Sequence, residues 1–369
     1  MGVIRTKFLC LVLALAVSPV GMSAASESER IVFVSNQGGD AQIYRINADG
    51  SEPLALTAPP GENTQPAWSP DGRRIVFTSL RDGNMNIYVM DADGGNPQRL
   101  TEHEQPDNLP NWSPDGKRIL FRSYRDRHAN LYVMDADGGN LKRLTASPAD
   151  KGSPCWSPDG QRIAYVFYGD TGKSQIHIMN ADGSHDRDVT SSLSKGRKFQ
   201  PAWSPDGGKL AFVVAKSGRE NHIYIVDADG SNPINLTDNP FINRMPSWSP
   251  DGSRIAFVAN RTEAKVGRAE GDLYLMNADG SGTINLTRHP ANDDEPAWSG
   301  DGKSLYFLSL RNGPSQLFRL RLDGGSPERM TAHGSHDLMF SSHRNSHIAG
   351  PATALEPGAP AIALSLSRL

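Results

Sequence analysis

The chain has 369 residues, a formal net charge of −3, 36 glycines and 26 prolines. This content of Gly and Pro, with modest hydrophobicity and no long helical pattern, favours an all-β fold that is rich in turns. No basic stretch is concentrated enough to predict a nucleic-acid partner.

Residues 1–25 have the composition of a secretory signal peptide. Arg5 and Lys7 precede an apolar stretch from Phe8 to Val20, and small residues follow up to Ala25. The apolar stretch is short for a membrane span, and no other segment is apolar enough to cross a bilayer. We therefore expect a periplasmic or secreted protein that is not inserted in a membrane once the signal has been removed.

One short phrase, Trp-Ser-Pro-Asp-Gly or a close variant of it, occurs six times at intervals of 44 to 50 residues. This period is typical of a β-propeller blade and not of a helical solenoid. The phrases contain all six tryptophans of the chain, which are Trp68, Trp112, Trp156, Trp203, Trp248 and Trp298. A binding site is usually a single asymmetric place, so we expect these indoles to pack between adjacent blades and not to stack on ligands.

The same phrase also predicts a hairpin. Pro, Asp and Gly after a Ser have the chemistry of a tight turn, and a second apolar run begins seven residues after each Trp. Two further strand patterns follow in every unit, and a similar triplet begins at Arg30 without a Trp phrase before it. Counting these triplets predicts seven four-stranded blades over residues 30–344; the alternative is six blades and a stray unit.

Seven blades require a seventh innermost strand, and the C-terminal region contains one candidate. Leu338 to Ser342 resembles the segment before the turn, with Phe340 in the place of the Trp. We expect this strand to pair with the first triplet and close the ring, which would protect two sheet edges. The remaining residues 345–369 lack the period and are expected to form a loose tail.

Loop lengths separate the scaffold from a possible site. The turn after each Trp and the Asp-Gly turn have constant lengths, whereas the other two connections vary, mainly in units four to six. Alternate turns of an up-and-down blade emerge on one face, so we expect a single loop-varied face. Its candidate ligand-binding cations, which could equally be solvated charges, are Lys195, Arg197, Lys198, Arg244, Arg261, Lys265, Arg268 and Arg288.

Candidates for chemistry are few. His103, His289 and His333 follow the closing Thr of their units by two residues, and this equal offset favours a loop habit over a metal site. Asp293 could act with His289 at the mouth of the channel. The Asp-Gly turns lack the downstream Glu of a calcium loop. We expect no metal and no cofactor, and we interpret the lone Cys155 as a core residue and not as a reactive thiol.

The segment from Pro66 to Thr101 resembles the WD40-like repeat of the TolB propeller. It contains Pro-Ala-Trp-Ser-Pro-Asp-Gly, then Arg-Ile-Val-Phe-Thr-Ser, Asn-Ile-Tyr-Val-Met-Asp-Ala-Asp-Gly and Arg-Leu-Thr. The resemblance extends over about Arg30 to Ser342, and the N-terminal α/β domain of TolB is not expected here. It implies a periplasmic partner-binding role in the envelope, although related propellers also occur in peptidases and in oligogalacturonate lyase.

The sequence therefore predicts an exported monomer that binds an envelope protein or an anionic carbohydrate through its loop-varied face, without chemistry of its own. The candidate binding residues include His103, His289 and Asp293 as well as the cations named above. The alternative is a polysaccharide-acting enzyme that uses His and acidic residues at the channel mouth.

Overall fold

A computed structural model describes residues 29–169, 172–217, 220–260 and 271–342. The predicted signal segment and the predicted tail lie outside these residues. The described chain is all β, as the turn-rich composition predicts. None of its described residues form a helix that is long and apolar enough to cross a membrane.

The strands follow the repeat of the sequence, and most repeats contain an inner strand, two middle strands and a short outer strand. The first half of the chain contains β1 (Arg30–Ser35), β2 (Gln42–Asn47), β3 (Leu54–Ala55), β4 (Asn63–Trp68), β5 (Arg74–Ser79), β6 (Asn86–Asp91), β7 (Gln98–Arg99), β8 (Asp107–Trp112), β9 (Arg118–Asp126), β10 (His128–Asp135), β11 (Lys142–Arg143), β12 (Asp150–Trp156), β13 (Arg162–Tyr168), β14 (Ser174–Asn180) and β15 (Arg187–Asp188). The second half contains β16 (Arg197–Trp203), β17 (Lys209–Ser217), β18 (Glu220–Asp227), β19 (Ile234–Asn235), β20 (Ile242–Trp248), β21 (Arg254–Asn260), β22 (Asp272–Asn277), β23 (Ile284–Asn285), β24 (Asp293–Trp298), β25 (Ser304–Ser309), β26 (Gln316–Arg321), β27 (Glu328–Arg329) and β28 (Asp337–Ser342).

The predicted β-propeller is confirmed, but its sheets are not seven separate ones. Five four-stranded sheets are formed by β28-β1-β2-β3, β4–β7, β8–β11, β12–β15 and β24–β27, whereas β16–β23 form one eight-stranded sheet. The two halves of that sheet are joined by one parallel residue pair, Asn221 with Ile242. The join has a local cause: Asn221 donates its backbone N–H to Phe241 O at 3.2 Å, and Asn243 Nδ2 donates to Asn221 O at 2.8 Å.

β28 pairs antiparallel with β1, the first strand of the described chain. Ile31 lies opposite Ser342, and Phe33 lies opposite Phe340. In the next sheet the residue opposite Ile75 is Trp68. The register therefore places Ser342, and not Phe340, in the position of the Trp. The prediction for Phe340 was wrong by two residues because the strand lacks the turn phrase that fixes the register elsewhere; the side chains of Phe340 and Ser342 lie outside the described part.

The core lies between neighbouring sheets, and the Trp side chains are central to it. All six are at most 6 % exposed. Trp112 packs with Val76 and Ile87 of the preceding sheet, and its indole Nε1 donates to Ala67 O at 3.2 Å. The indoles of Trp203, Trp248 and Trp298 likewise donate to carbonyls of the preceding repeat. The prediction that the Trp side chains pack between adjacent units is confirmed.

The phrase after the Trp forms the predicted turn. In the first copy Ser69 Oγ donates to Asp71 Oδ1 at 2.6 Å and accepts from the backbone N–H of Arg74 at 2.9 Å. Gly72 has a φ of 66°, which favours glycine. On the same face, the Asp-Gly turn joins this hairpin, since Ala92 donates its N–H to Arg73 O at 2.8 Å. We call this side, with its two constant turns per repeat, the turn face.

The other two connections meet on the opposite side, which we call the loop face. Leu80, after β5, donates its N–H to Glu62 O, just before β4, at 2.8 Å. Asp107, at the start of β8, donates to Met85 O in the loop before β6 at 2.9 Å. β9 and β17 are each nine residues long, compared with six for β5, so these two hairpins extend further on the loop face than the hairpin of β5 and β6. The extension of β9 was not predicted, because its connection has the ordinary length.

We expect Trp112→Ala to lower the free energy of unfolding by about 3–5 kcal/mol, since it leaves a cavity between two sheets and removes a buried hydrogen bond. The measurement is the midpoint of urea unfolding followed by far-UV circular dichroism. Leu54→Ala is the control: Leu54 is 40 % exposed, so its substitution should change the free energy by no more than about 0.5 kcal/mol. Equal effects of the two substitutions would contradict a central role for the indole.

Candidate functional site at the channel mouth

Each Trp-bearing inner strand carries a β-bulge near its loop-face end. The residue three positions before the Trp has a φ between 45° and 55°, in the left-handed region that non-glycine residues seldom adopt. These residues are Gln65, Leu109, Ser153, Gln200, Met245 and Glu295. Bulges redirect the side chains of a strand. Because all six copies share this one, we assign it to the scaffold and not to a single site.

Glutamine at the bulge connects neighbouring repeats. Gln65 Oε1 accepts the backbone N–H of Leu109 at 2.9 Å, and Gln200 Oε1 accepts that of Met245 at 2.9 Å. In both cases a side chain of one inner strand satisfies the bulged backbone of the next. These two contacts fix β4 relative to β8, and β16 relative to β20, near their loop-face ends.

The residue five positions before the Trp is buried in every copy, and we call it the anchor position. Its occupants are Asn63, Asp107, Lys151, Lys198, Asn243 and Asp293, each at most 4 % exposed. The β28 register adds Asp337.

In three repeats the anchor binds an arginine at the end of the second strand or in the loop just after it. Arg81 donates to Asn63 at 3.0 Å, Arg125 to Asp107 at 2.9 Å, and Arg311 to Asp293 at 2.8 Å. The predicted ligand residue Asp293 is thus held in a buried ion pair.

Two consecutive repeats have lysine at the anchor position instead. Lys151 Nζ donates to Asn130 Oδ1 at 3.2 Å and to the carbonyls of Ser147 and Ala149. Lys198 Nζ donates to Leu193 O. Neither ammonium forms an ion pair with a carboxylate of the described residues, and burial lowers the pKa of both. The side chain of Lys198, a predicted binding residue, therefore turns inward against the preceding loop and is not exposed.

Arg244 lies near the loop-face end of the inner strand β20, four residues before Trp248. Its guanidinium donates to Asn260 Oδ1 at 2.6 Å and lies 3.3 Å from Asp294 Oδ2 of the next inner strand. The Arg244 side chain is 15 % exposed, so part of it stays accessible. The adjacent strand β16 begins at Arg197, which is half-buried, and the exposed Lys195 precedes it. The structure therefore brings three predicted cations to two neighbouring inner strands.

The other predicted residues lie further out. His103 and His289 have the same role, because each Nδ1 accepts the backbone N–H two residues later, from Gln105 and from Ala291. Arg288 is exposed beside His289. His333 contacts Asp337 through Nε2 at 3.0 Å. Burial raises the pKa of Asp337, although Thr331 and His333 oppose that shift. Arg261, Lys265 and Arg268 lie outside the described residues.

Arg122, in β9 beside the inner strand, is a buried cation that the sequence reasoning missed. It is 7 % exposed, and its Nε donates to Asn108 Oδ1 of the inner strand at 2.9 Å. The signal was available: the corresponding second-strand positions carry Thr78, Val166, Val213, Val258 and Leu308, and none of these is charged.

The described residues contain no group of three or more His, Cys, Asp or Glu side chains that could hold a metal ion. Cys155 packs against the core, and burial raises the pKa of its thiol to about 12. It is therefore protonated at neutral pH, as expected of a packing residue.

A match to a protein-family profile identifies the family of this chain. The profile of the TolB beta propeller domain matches residues 54–152, 130–268 and 262–349. The chain belongs to this family. The resemblance stated from the repeat motif is confirmed, and a comparison with curated proteins gives no match.

Solved structures of proteins with different activities share the fold of this chain. A protein assigned as TolB from Agrobacterium tumefaciens is 23 % identical, with a TM-score of 0.52, covering 70 % of this chain and 88 % of that one. Oligogalacturonate lyase from Vibrio parahaemolyticus is 16 % identical, with a TM-score of 0.66, covering 79 % and 86 %. A puromycin-hydrolyzing peptidase of Mycobacterium tuberculosis is 16 % identical, with a TM-score of 0.64, covering 80 % of this chain and 50 % of that one. Likeness at these identities shows the propeller fold alone.

The buried Lys151 should make stability depend on pH in a defined window. Burial, and to a smaller extent nearby Arg143, lower the pKa of its ammonium to about 8, compared with 10.5 for an ordinary lysine. Between these values the unfolded chain holds a proton that the folded chain has lost, so the free energy of unfolding should rise with pH there. The rise is at most about 3 kcal/mol, because one pKa unit corresponds to about 1.4 kcal/mol.

We expect Lys151→Met to remove this rise. The difference in free energy of unfolding between wild type and variant should therefore change between pH 7 and pH 10.5. Urea unfolding at a series of pH values measures it. Lys142→Met is the control, since Lys142 is exposed and its loss should leave the wild-type profile unchanged. Parallel pH profiles for wild type and Lys151→Met would show that the buried ammonium is not the cause.

Proposed function

We propose that the protein is an exported binding propeller that holds an anionic ligand at the channel mouth of its loop face. The ligand is an acidic surface of an envelope protein or an acidic envelope carbohydrate, as in a TolB-like role in envelope organisation. The proposal includes a monomeric protein in the periplasm or outside the cell, which performs no chemistry on its ligand.

One observation carries this proposal: cations predominate at the mouth ends of three consecutive inner strands. The segments 150–153, 195–200 and 242–245 contain five cations, Lys151, Lys195, Arg197, Lys198 and Arg244, and one carboxylate, Asp150. The whole chain is acidic, with a net charge of −3. A local positive region in an acidic protein attracts anions selectively, and the low-dielectric wall of a cleft strengthens the effect.

The buried lysines contribute to this field even though they do not touch the ligand. Their ammonium groups are bound by carbonyl and amide oxygens, and neither forms an ion pair with a carboxylate of the described residues, although Asp150 and Asp186 act on Lys151 and Asp188 acts on Lys198 at longer range. Arg244 is the group best placed for direct contact, because it reaches the mouth and its partner Asp294 leaves part of it exposed. Arg197 and Lys195 extend the same region outward on the next strand.

The second candidate is an enzyme that acts on an acidic polysaccharide. The likeness to a lyase fold makes it worth testing. The acid–base pair suggested by the sequence is engaged in other contacts: Asp293 is bound by Arg311, and His289 Nδ1 accepts a backbone N–H. These contacts favour the binding role.

We further propose that the ring has seven blades and is closed by β28. Two facts support it: the eight-stranded sheet consists of two four-stranded halves joined by one residue pair, and β28 occupies the inner edge beside β1. Each half also has its own inner strand that ends in a Trp, as the separate sheets of β4–β15 do.

Truncation tests ring closure. A chain that ends at His336 lacks β28 and exposes the edge of β1, so its midpoint of urea unfolding should fall well below that of the full chain. A chain that ends at Arg344 keeps β28 and lacks only the predicted tail 345–369, so its midpoint should equal that of the full chain. If both truncations leave the midpoint unchanged, β28 does not close the ring.

For the binding role we expect Arg244→Gln to weaken the binding of tetragalacturonate, an acidic oligosaccharide probe, by about tenfold or more. The loss of one partly buried charge-assisted contact is worth about 1.5–3 kcal/mol. Isothermal titration calorimetry measures the affinity. Arg73→Gln, the same charge change at an exposed residue of the turn face, is the matched control and should bind like wild type.

The same samples separate the two candidate functions. Binding without the appearance of shorter oligosaccharides supports the binding role, whereas turnover by wild type would establish the enzyme. Equal affinities of wild type and Arg244→Gln would show that the channel mouth is not the site.

A further inference from the structure

Where two repeats meet on the turn face, an arginine usually covers the Trp. The residue six positions after one Trp extends over the Trp of the next repeat, with its guanidinium carbon 4.7–5.2 Å from the indole centroid. Trp68 has no Trp phrase before it, and its arginine is Arg30, which has the same place in β1 as Arg74 has in β5. The five pairs are Arg30–Trp68, Arg74–Trp112, Arg118–Trp156, Arg162–Trp203 and Arg254–Trp298.

These arginines also bind backbone across the junction. Arg162 Nη2 donates to Gly207 O of the next turn at 2.8 Å, and Arg30 Nη2 donates to Gly72 O at 3.1 Å. Longer versions of the contact, at 3.4 Å, join Arg118 and Arg254 to the corresponding glycine carbonyls. A guanidinium is planar and has several donors, so it can lie over an indole and reach a carbonyl at the same time.

Trp248 is the exception among the six. Lys209 occupies the arginine position before it, and its ammonium binds Asp227 Oδ1 of its own repeat instead of crossing the junction. Among the described residues no cation lies over the Trp248 ring and no donor reaches the Gly252 carbonyl. A compact ammonium cannot make the two contacts that the guanidinium makes.

A cavity of about 670 Å³ lies at this junction. Lys209 and Asp206 line one side, and Asp251, Gly252 and Asp279 line the other, with Trp248 and Ile234 among the apolar residues. Hydrogen bonds from Ser249 and Ser253 lower the pKa of Asp251 to about 2, and those from Ser281 lower that of Asp279. Both carboxylates are therefore ionised at neutral pH.

We propose that this cavity binds the side chain of an arginine from a partner protein, which supplies in trans the guanidinium that the other junctions supply in cis. The carboxylates at the rim match a positive charge, and the Gly252 carbonyl accepts a hydrogen bond as Gly207 does from Arg162. Ile234 is 49 % exposed at the rim and provides an apolar contact for the residue next to that arginine. The site lies on the turn face and is independent of the loop-face binding proposed above.

The test uses the full chain with ¹⁵N-labelled indoles, which gives one NMR signal for each Trp. The probe is N-acetyl-arginine methylamide, and the Trp248 signal is assigned from its loss in Trp248→Phe. We expect a saturable shift of that signal on titration. The citrulline analogue, which has the same shape without the charge, and the leucine analogue should produce no saturable shift.

Lys209→Arg is the decisive variant, because it restores the arginine of the other junctions, whose guanidinium should cover the Trp248 indole and reach the Gly252 carbonyl without loss of folding. We expect it to abolish the saturable shift. Asp279→Asn should weaken binding about two- to fivefold, as expected for the loss of one exposed ion pair. Asp229→Asn is its matched control, since Asp229 accepts the same two hydrogen bonds from Ser231 that Asp279 accepts from Ser281.

Three results would overturn the proposal. One is the absence of a saturable Trp248 shift with the arginine probe in wild type. Another is that Lys209→Arg binds the arginine probe as well as wild type does. The third is that wild type binds the citrulline or leucine analogue as well as the arginine probe, which would indicate an uncharged ligand.

Discussion

The contact between one repeat and the next indole is the interaction on which the rest of the structure depends. Each sheet has little core of its own, and its apolar side chains are buried only when a neighbour packs against them. Trp112, Trp203 and Trp298 each join two sheets in three ways: the indole fills the space between them, its Nε1 donates to a carbonyl of the preceding repeat, and its face accepts an arginine. A repeat is therefore stable only as part of a series, which explains why the Trp phrase varies so little along the chain.

The two faces solve the problem of buried polar groups in different ways. On the turn face the same Ser and Asp side chains satisfy the same backbone groups in each copy. On the loop face the anchor position is always buried, but its partner changes: Asp293 binds an arginine, Asn63 binds an arginine without charge neutralisation, and Lys151 binds carbonyl oxygens. Each arrangement satisfies the buried group, yet they leave different net charges. The scaffold can thus change the field at the channel mouth without changing its shape.

Much of the fold follows from the sequence because the information is local. The Trp phrase predicts where each inner strand ends, which residues turn, and where the next strand begins, and the structure confirms these for β4 and β5 and for their copies. The register of β28 was less predictable, since no turn phrase follows it. The join between β18 and β20 depends on the backbone of Asn221 and the side chain of Asn243, and the sequence does not indicate it because Asn63 occupies the same anchor position without such a join.

The candidate site was predicted less well, for a physical reason. A sequence shows which loops differ in length, but a lysine in such a loop has the same letter whether its ammonium faces solvent, as at Lys195, or turns inward, as at Lys198. Burial is decided by the neighbouring carbonyls, and these are not visible in the sequence. Arg122 shows the opposite case. It is the one charged residue among the equivalent second-strand positions, so the sequence alone distinguishes it.

The turn face shows that constant loop length does not imply constant chemistry. All its turns have the same length, so a criterion based on insertions treats the face as uniform. Lys209 keeps the charge of the arginines in the other copies and would pass as a conservative replacement. The geometry separates the two residues: an ammonium that binds Asp227 cannot also cover the indole and reach the next turn. In a repeat protein, a single deviation in side-chain type at a fixed position is therefore as worth testing for binding as a loop insertion is. The unaltered copies also indicate the chemistry that the site lacks.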